Sequence, residues 1–322
     1  MFKKISAFFN PEQFQGWGKT KQYFEGWYFK VLNEDASKAF AIIPGIAMGH
    51  NGNKHSFIQI LDGRANSAKY HKFSFDSFLP SSKKFEISIG QNYFSDTNIK
   101  LNIPGFSGEL EFHNNKPWPK AFYSPGIMGP FSFVPFMECY HGIVSMDHKI
   151  VGQLSVNDSI IDFNDGRGYI EKDWGRSFPS AYVWMQTNHF SEKGVSLKSS
   201  VANIPWMGSS FIGFISGLWL YDRLIQFNTY NGTSLMKLRI DTSSVELVMQ
   251  NSKYEISILA HRDQATSLAS PIKGLMDGRI EESMSSRLDL EVFDKKNRQV
   301  LFSDTGHHAG LEVAGDISRI IK

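Results

Sequence analysis

Hydrophobic and polar residues alternate with a period of two along much of the chain, whereas long stretches with helical period are hard to find. Clear examples are the runs Phe85-Glu-Ile-Ser-Ile89 and Tyr254-Glu-Ile-Ser-Ile258. Turn dipeptides such as Asn51-Gly52 and Asn231-Gly232 punctuate these runs at strand-like intervals. The pattern therefore predicts an all-β chain in which antiparallel strands are joined by tight turns.

The sequence also repeats itself over a long period. Lys84-Phe-Glu-Ile-Ser-Ile89 returns almost unchanged as Lys253-Tyr-Glu-Ile-Ser-Ile258. Further pairs follow in the same order: Trp27 with Trp184, Ile43-Pro44 with Ile204-Pro205, Ser56-Phe-Ile58 with Ser210-Phe-Ile212, and Gly108-Glu-Leu-Glu111 with Gly278-Arg-Ile-Glu281. Collinear echoes favour duplication of one β-unit. We expect two similar antiparallel β-domains, each a barrel or sandwich, at residues 1–165 and 166–322.

Charge and cysteine content narrow the class of protein. With 34 Lys and Arg against 32 Asp and Glu, the net charge is only +2, so no electrostatic footprint for nucleic acid is present. The single cysteine, Cys139, excludes an internal disulfide and fits a reducing compartment. The N-terminus lacks a secretory apolar region, and no run is long enough to span a bilayer. We expect a cytoplasmic protein.

An aromatic content of 14%, dominated by 27 phenylalanines, requires a large core or the wall of a ligand cavity. If Phe24 to Val31 form a strand, Glu25 shares one face with Trp27 and Phe29. That face is apolar and is predicted to point inward. Glu25 is therefore expected at the rim or inside of an aromatic cavity.

A second candidate for the cavity lies between Gly168 and Phe190. The acids Glu171 and Asp173 lead into a segment in which Trp184, Gln186 and Asn188 share a face. Aromatic rings with a few neutral amides are typical of a ligand wall with orienting groups. The segment Phe136 to Gly142 adds Tyr140 or His141 as further cavity residues, with ordinary packing or hydrogen bonding as the alternative for both.

A carboxyl group in an apolar pocket has a raised pKa and can donate a proton near neutral pH. Aromatic faces stabilise a nearby cation by roughly 0.5 to 2 kcal/mol each. These are the ingredients for protonating an alkene and sheltering the carbocation. In the competing interpretation, Glu25 and Glu171 only accept hydrogen bonds from Arg167, Arg176 or the backbone.

Other kinds of site are not indicated. The histidine pairs His50 and His55, His141 and His148, and His307-His308 match no metal-ligand spacing, so no metal is predicted. No nucleophile elbow and no glycine-rich phosphate loop occur, so no cofactor is predicted.

Two motifs carry a family resemblance. F-E-G-W-Y-F-K at Phe24 to Lys30 and G-Y-I-E-K-D-W-G-R-S-F-P from Gly168, with its W-M-Q-T-N continuation, resemble the tocopherol cyclase family, including its bacterial tocopherol-cyclase-like members. By order of motifs the resemblance runs from about Tyr23 to the C-terminus. It implies two lipocalin-like β-barrel domains, closure of a prenylated quinol or related isoprenoid to a chromanol ring, and no organic cofactor.

Under this resemblance Glu171, or Asp173 as its rival, donates a proton to the prenyl alkene. Trp27, Trp174 and Trp184 line the pocket and steady the cation, and Gln186, Asn188 or His189 orients the phenolic oxygen. The alternative function is a non-catalytic lipocalin-like carrier of a hydrophobic small molecule, which needs no desolvated acid. Because prenyl quinols reside in bilayers, peripheral membrane contact is compatible with either function.

Overall fold

The computed structural model describes residues 2–321, which form two compact units. Unit 1 comprises the chain up to Phe178 together with Leu268–Arg279. Unit 2 comprises Pro179–Ser267 and the chain from Ile280 onward. Each unit has its own hydrophobic core, so each is described by itself.

Unit 1 begins with one α-helix, and the rest of it is mainly strand. Its elements are α1 (Phe2–Phe9), β1 (Tyr23–Leu32), β2 (Ala39–Met48), β3 (Lys54–Asp62), β4 (Ser67–Ser74), β5 (Phe78–Pro80), β6 (Glu86–Ile89), β7 (Asn92–Ser95), β8 (Asn98–Ile103), β9 (Phe106–His113), β10 (Cys139–Val156), β11 (Ser159–Asp162) and β12 (Gly166–Gly175), with 3-10 turns at Phe75–Ser77 and Gly129–Phe133. Within residues 2–321 no helix has the length and hydropathy needed to cross a membrane.

Unit 2 is built from the later strands. They are β13 (Ala181–Thr187), β14 (Ser196–Trp206), β15 (Ser209–Leu220), β16 (Arg223–Asn228), β17 (Ser234–Ile240), β18 (Ser244–Gln250), β19 (Tyr254–His261), β20 (Thr266–Ile272), β21 (Leu275–Asp294) and β22 (Gln299–Gly315), followed by a 3-10 turn at Ile317–Arg319. Strands β20 and β21 contain residues of both units, because Leu268–Arg279 belongs to unit 1.

The first sheet has the order β4-β3-β2-β1-β12-β10-β9-β8-β7-β6-β5, with β11 paired to β10. It curls around a core, because strands far apart in this order touch through their inward side chains. The ring of Phe29 on β1 lies 5.8 Å from that of Phe94 on β7, although four strands separate them in the sheet. The predicted barrel-like or sandwich-like unit is therefore present.

The second sheet has the order β16-β15-β14-β13-β22-β21-β19-β18-β17, with β20 paired to β21. It also folds onto itself, since Ser216 on β15 lies 3.7 Å from the sulfur of Met249 on β18. In each sheet the strand that comes first in the sequence pairs with the second strand and with the last strand of that sheet. The prediction of an all-β chain with two similar antiparallel domains is confirmed.

The sequence echoes fall on this shared topology only in part. Trp27 and Trp184 lie on the first strands, β1 and β13, and the Ile-Pro pairs lie on the second strands. The strongest echo is different: Lys84–Ile89 leads into β6, near the sheet end, whereas Lys253–Ile258 leads into β19 beside β21. Both segments bury two isoleucines at alternate positions, which is a general requirement of half-buried strands.

The predicted boundary at 165/166 differs from the division in the structure. Strand β12, assigned to the second domain from the sequence, is hydrogen-bonded between β1 and β10 in the first sheet. Cutting the chain before it would leave both neighbours with an unpaired edge. Unit 1 therefore continues to Phe178 and includes Leu268–Arg279 as well.

His148 on β10 is a buried histidine that packs against β12. His148 is 2% exposed, its ring lies 4.5 Å from that of Phe112, and its Nδ1 lies 3.2 Å from the Ser145 hydroxyl. Opposite it stands Gly168, where an added Cβ would come within 2.2 Å of the imidazole. Burial, with a smaller contribution from the charge of Arg167, lowers the pKa of His148 from 6.5 to about 3.

This shift predicts a loss of stability in mild acid. Between pH 6.5 and pH 3 the unfolded chain binds a proton at His148 that the folded chain does not, so the free energy of unfolding falls as the pH falls. Between pH 7 and pH 5 this amounts to about 2 kcal/mol. His148→Gln should flatten the pH dependence by that amount in urea unfolding curves. Parallel pH dependences of wild type and variant would contradict the assignment.

Candidate active site

Strand β12 carries chemically different residues on its two faces. Alternation places Tyr169, Glu171 and Asp173 on one face and Ile170, Lys172 and Trp174 on the other. The second group faces the core of unit 1, because Ile170 is a core residue and Trp174 packs against the core. The acids therefore lie on the face that points away from this core, where Glu171 is nevertheless only 4% exposed.

The neighbouring strands bring a histidine to the two acids. In the register of β10 with β12, His141 is directly opposite Asp173, and Ile143 is opposite Glu171. The His141 Nδ1 lies 2.8 Å from Asp173 Oδ1, and its Nε2 lies 3.5 Å from Glu171 Oε2. Because a carboxylate oxygen can only accept, Nδ1 donates its hydrogen to Asp173. We call these three residues the His141 cluster.

The His141 cluster has the properties of a proton-transfer site. The Nε2 atom of His141 is buried and has no hydrogen-bond partner among residues 2–321, so it remains available for a proton. Tyr169 donates a 2.6 Å hydrogen bond to Glu171 Oε2 and orients that carboxyl. Burial first, and then the charge of Glu171, raise the pKa of the Tyr169 hydroxyl, which keeps it a donor.

Cys139 lies at the edge of the cluster, with its sulfur 3.9 Å from Asp173 Oδ1. Burial, reinforced by Asp173 and Glu138, raises the pKa of its thiol. The residue is therefore a neutral thiol and not a thiolate nucleophile. A nucleophilic role for the single cysteine finds no support in this environment.

The same donor set could also hold a cation. The ligand atoms of His141, Glu171 and Asp173 all lie within 4.8 Å of one another. One histidine with two carboxylates is a combination that divalent metals accept. In the structure His141 and Asp173 are joined by a hydrogen bond at Nδ1.

On the core side of β12 lies a buried ion pair that was not predicted from the sequence. Lys172 Nζ lies 2.6 Å from Glu25 Oε1, and both side chains are fully buried. Glu25 also accepts hydrogen bonds from Tyr23 Oη at 2.6 Å and from the backbone N–H groups of Gln15 and Gly16 at 2.8 and 3.0 Å. Glu25 is therefore an anchored partner in an ion pair, which argues against its predicted role as a proton donor.

The ammonium of Lys172 lies beside two of the three tryptophans that were expected to line the pocket and stabilise a carbocation. It lies 4.8 Å from the ring of Trp27 and 4.6 Å from that of Trp174. It also donates to the carbonyls of Pro11 and Gln13. Burial lowers the pKa of Lys172, and the carboxylate of Glu25 opposes that shift. The cation that these rings stabilise is thus part of the protein.

The remaining aromatic candidates of unit 1 also belong to the core side. Trp27 is fully buried, stacks on Phe85 at 5.5 Å and donates from Nε1 to the carbonyl of Glu12. Tyr140 stacks on Trp174 at 5.5 Å and donates a hydrogen bond to the carbonyl of Val134. These rings pack against protein groups, so the structure does not give them the predicted position beside the acids.

The candidates in the second half lie on β13 and just after it, in unit 2. Trp184, Gln186 and Asn188 are buried on the face opposite the one that carries the core residues Val183 and Met185. His189 Nδ1 lies 2.9 Å from the side-chain oxygen of Asn188. Within unit 2 these residues form a polar and aromatic face, and their contact with substrate stays a prediction.

Tyr169 and Lys172 were not predicted as site residues, although both lie inside the motif that begins at Gly168. Alternation alone would have placed Lys172 on the opposite face of the strand from its two acidic neighbours. Tyr169 was equally accessible, because it stands two residues before Glu171 and so shares its face. The pairing of β12 with β10, which brings His141 to the acids, could not be read from the sequence spacing.

Comparisons with known proteins agree with this architecture. A family model described as tocopherol cyclase-like matches residues 109–315. The crystal structure of CghA with Sch210972 aligns with a TM-score of 0.58 at 11% identity, covering 91% of this chain and 89% of that one. A candidate AttH from Nitrosomonas europaea aligns with a TM-score of 0.53 at 12% identity, covering 90% of this chain and 92% of that one. At such identities these structures show a shared fold. No curated protein matches the chain by sequence.

The buried ion pair generates a stability prediction. Glu25→Gln leaves the Lys172 ammonium buried without its carboxylate, and we expect a loss of roughly 3–5 kcal/mol in the free energy of unfolding. Urea unfolding measures the loss. As a matched control in the same unit, Lys149→Met removes one half of the exposed ion pair with Asp165 and should cost less than about 1 kcal/mol. Equal losses in the two variants would show that the buried ion pair contributes no more to the free energy of unfolding than the exposed one.

Proposed function

Because the chain belongs to the tocopherol cyclase-like family, we propose that it is an acid–base enzyme that closes a prenylated hydroquinone to a chromanol ring. The observation that carries the proposal is the His141 cluster, in which a buried carboxyl lies 3.5 Å from an unpartnered imidazole nitrogen. An acid and a base at this separation can serve the two proton transfers that such a cyclisation needs.

The reaction is an isomerisation in which atoms and electrons balance within the substrate and the site. A proton from Glu171 adds to the less substituted alkene carbon and leaves a tertiary cation at the other. The phenolic oxygen attacks that cation, a C–O bond forms, and the phenolic proton passes to Nε2 of His141. No oxidant or reductant is consumed.

The distances within the cluster explain how the site returns to its starting state. After ring closure His141 is an imidazolium, and Asp173 stabilises it through the 2.8 Å bond to Nδ1. The proton on Nε2 then moves back to Glu171, 3.5 Å away. Asp173 is therefore proposed to position and stabilise His141, while Glu171 is the proton donor. Tyr169 holds the Glu171 carboxyl in place.

Burial favours an enzyme over the alternative of a passive carrier. Removing ionisable groups from water costs free energy, and a carrier for an apolar ligand gains nothing from doing so. Glu171 is 4% exposed, and the His141 side chain is 11% exposed. Groups of this kind, buried and mutually oriented, are characteristic of sites where protons move.

The proposal predicts one deuterium in the product. Purified protein, incubated without oxygen in D2O with a prenyl hydroquinone, should release a chromanol that carries a single deuterium on the ring carbon next to the new quaternary carbon. Mass spectrometry and NMR detect it. Glu171→Gln should lower the rate roughly a hundredfold to ten-thousandfold, because the proton donor is lost.

The exposed Glu111 supplies a matched control on a neighbouring part of unit 1, and Glu111→Gln should react at the wild-type rate. Folding of all variants is checked by thermal unfolding. Turnover by a folded Glu171→Gln at the wild-type rate would eliminate Glu171 as the donor. Recovery of bound but unchanged prenyl hydroquinone from wild type would favour the carrier.

A further inference from the structure

One part of unit 1 exposes several large apolar side chains to solvent. Phe122, Tyr123 and Phe136 are 82, 74 and 57% exposed, and they lie on the connection between β9 and β10. Ile5 of α1 is exposed as well. Scattered exposed hydrophobics are ordinary, but a group of rings on one connection indicates an interaction site.

Contacts join this connection to α1, so that both form one surface. The ring of Phe9 stacks on that of Phe122 at 5.8 Å, and Phe8 lies 5.2 Å from Phe133. Lys120 donates to the side chain of Asn10 at 3.1 Å, just after the helix ends. We define the aromatic–lysine surface by these members: Lys3, Lys4, Ile5, Phe8, Phe9, Lys120, Phe122, Tyr123, Phe133 and Phe136.

The connection has a fixed shape, although it contains little regular structure. Five prolines, Pro117, Pro119, Pro125, Pro130 and Pro135, restrict its backbone. The carbonyl of Val134 accepts a hydrogen bond from Tyr140, whose ring stacks on Trp174. The exposed rings are therefore held in place by contacts that lead back to the core.

Lys120 is paired with Glu12, its Nζ lying 2.8 Å from Oε1 of that carboxylate, so the positive charge of this surface comes mainly from the lysines of α1. Residues 114–137 include Lys116 and Lys120 and no acid, and residues 2–10 include Lys3 and Lys4 and no acid. Lys3 and Lys4 are exposed. Phenylalanine rings flanked by lysines match the interface of an anionic bilayer, where rings enter the acyl boundary and ammonium groups meet lipid phosphates.

We propose that the aromatic–lysine surface docks unit 1 onto an anionic membrane. A protein partner fits less well, because lysine is depleted at protein–protein interfaces, whereas the exposed Lys3 and Lys4 lie on α1 with the rings of Phe8 and Phe9. The connection runs directly into β10, which carries His141. Docking would thus bring a membrane-resident prenyl quinol near the His141 cluster, a consequence that rests on the proposed function.

Vesicle flotation tests the docking without any assay of activity. Wild type should float with vesicles of about three parts phosphatidylcholine to one part phosphatidylglycerol and lose this binding as salt is added. Replacing three exposed rings in Phe122→Ser, Tyr123→Ser, Phe136→Ser should lower partitioning roughly tenfold or more. Lys3→Gln with Lys4→Gln should lower it roughly fivefold for each lysine.

A matched control replaces equally exposed apolar residues outside the surface, Ile160→Ser with Met207→Ser, at 71 and 83% exposure, and should float like wild type. The proposal is overturned if wild type stays in solution, or if the ring variant floats as wild type does. Equal binding to pure phosphatidylcholine would overturn the role of the lysines. Turnover of detergent-dispersed prenyl hydroquinone by the ring variant separates a failure of docking from a failure of the proposed chemistry.

Discussion

The fully buried ion pair between Glu25 and Lys172 is the constraint on which the arrangement of unit 1 depends. A buried charge without a partner costs several kcal/mol, so each of the two side chains also needs hydrogen-bond partners besides the other. Glu25 receives the N–H groups of Gln15 and Gly16, and Lys172 meets the carbonyls of Pro11 and Gln13. The segment before β1 is therefore bound to the end of the core, and two indole rings cover the ammonium.

This pair also determines what the other face of β12 can do. Because side chains alternate, a slip of one residue would exchange the two faces and place Glu171 and Asp173 in the core. The demand of Lys172 for Glu25 excludes that slip. The register that satisfies the ion pair is the register in which Asp173 stands opposite His141. A structural charge on one side of the strand thereby positions the His141 cluster on the other.

Much of the fold could be predicted from the sequence, because period-two patterning and turn residues are local signals. The family could be recognised for the same reason, since its motif is a continuous string around Glu171 and Asp173. The site could be predicted only in part. Strand pairing brings His141 to acids that lie about 30 residues later in the sequence. Glu25 and Lys172 are separated by more than a hundred residues. Neither contact can be recognised from the local sequence pattern. Trp27 and Trp174 were expected to stabilise a substrate carbocation, whereas in the structure both rings contact the ammonium of Lys172.

The discontinuity of unit 1 has a consequence for the order in which the protein can form during synthesis. Strand β1 cannot complete its pairing until β12 has been synthesised. The last segment of unit 1, Leu268–Arg279, emerges from the ribosome only after much of unit 2 has been made. Contacts so distant along the chain slow folding. A nascent chain that stops near Phe178 therefore contains every strand of the first sheet but lacks the last segment of unit 1, so this unit is completed only late in synthesis.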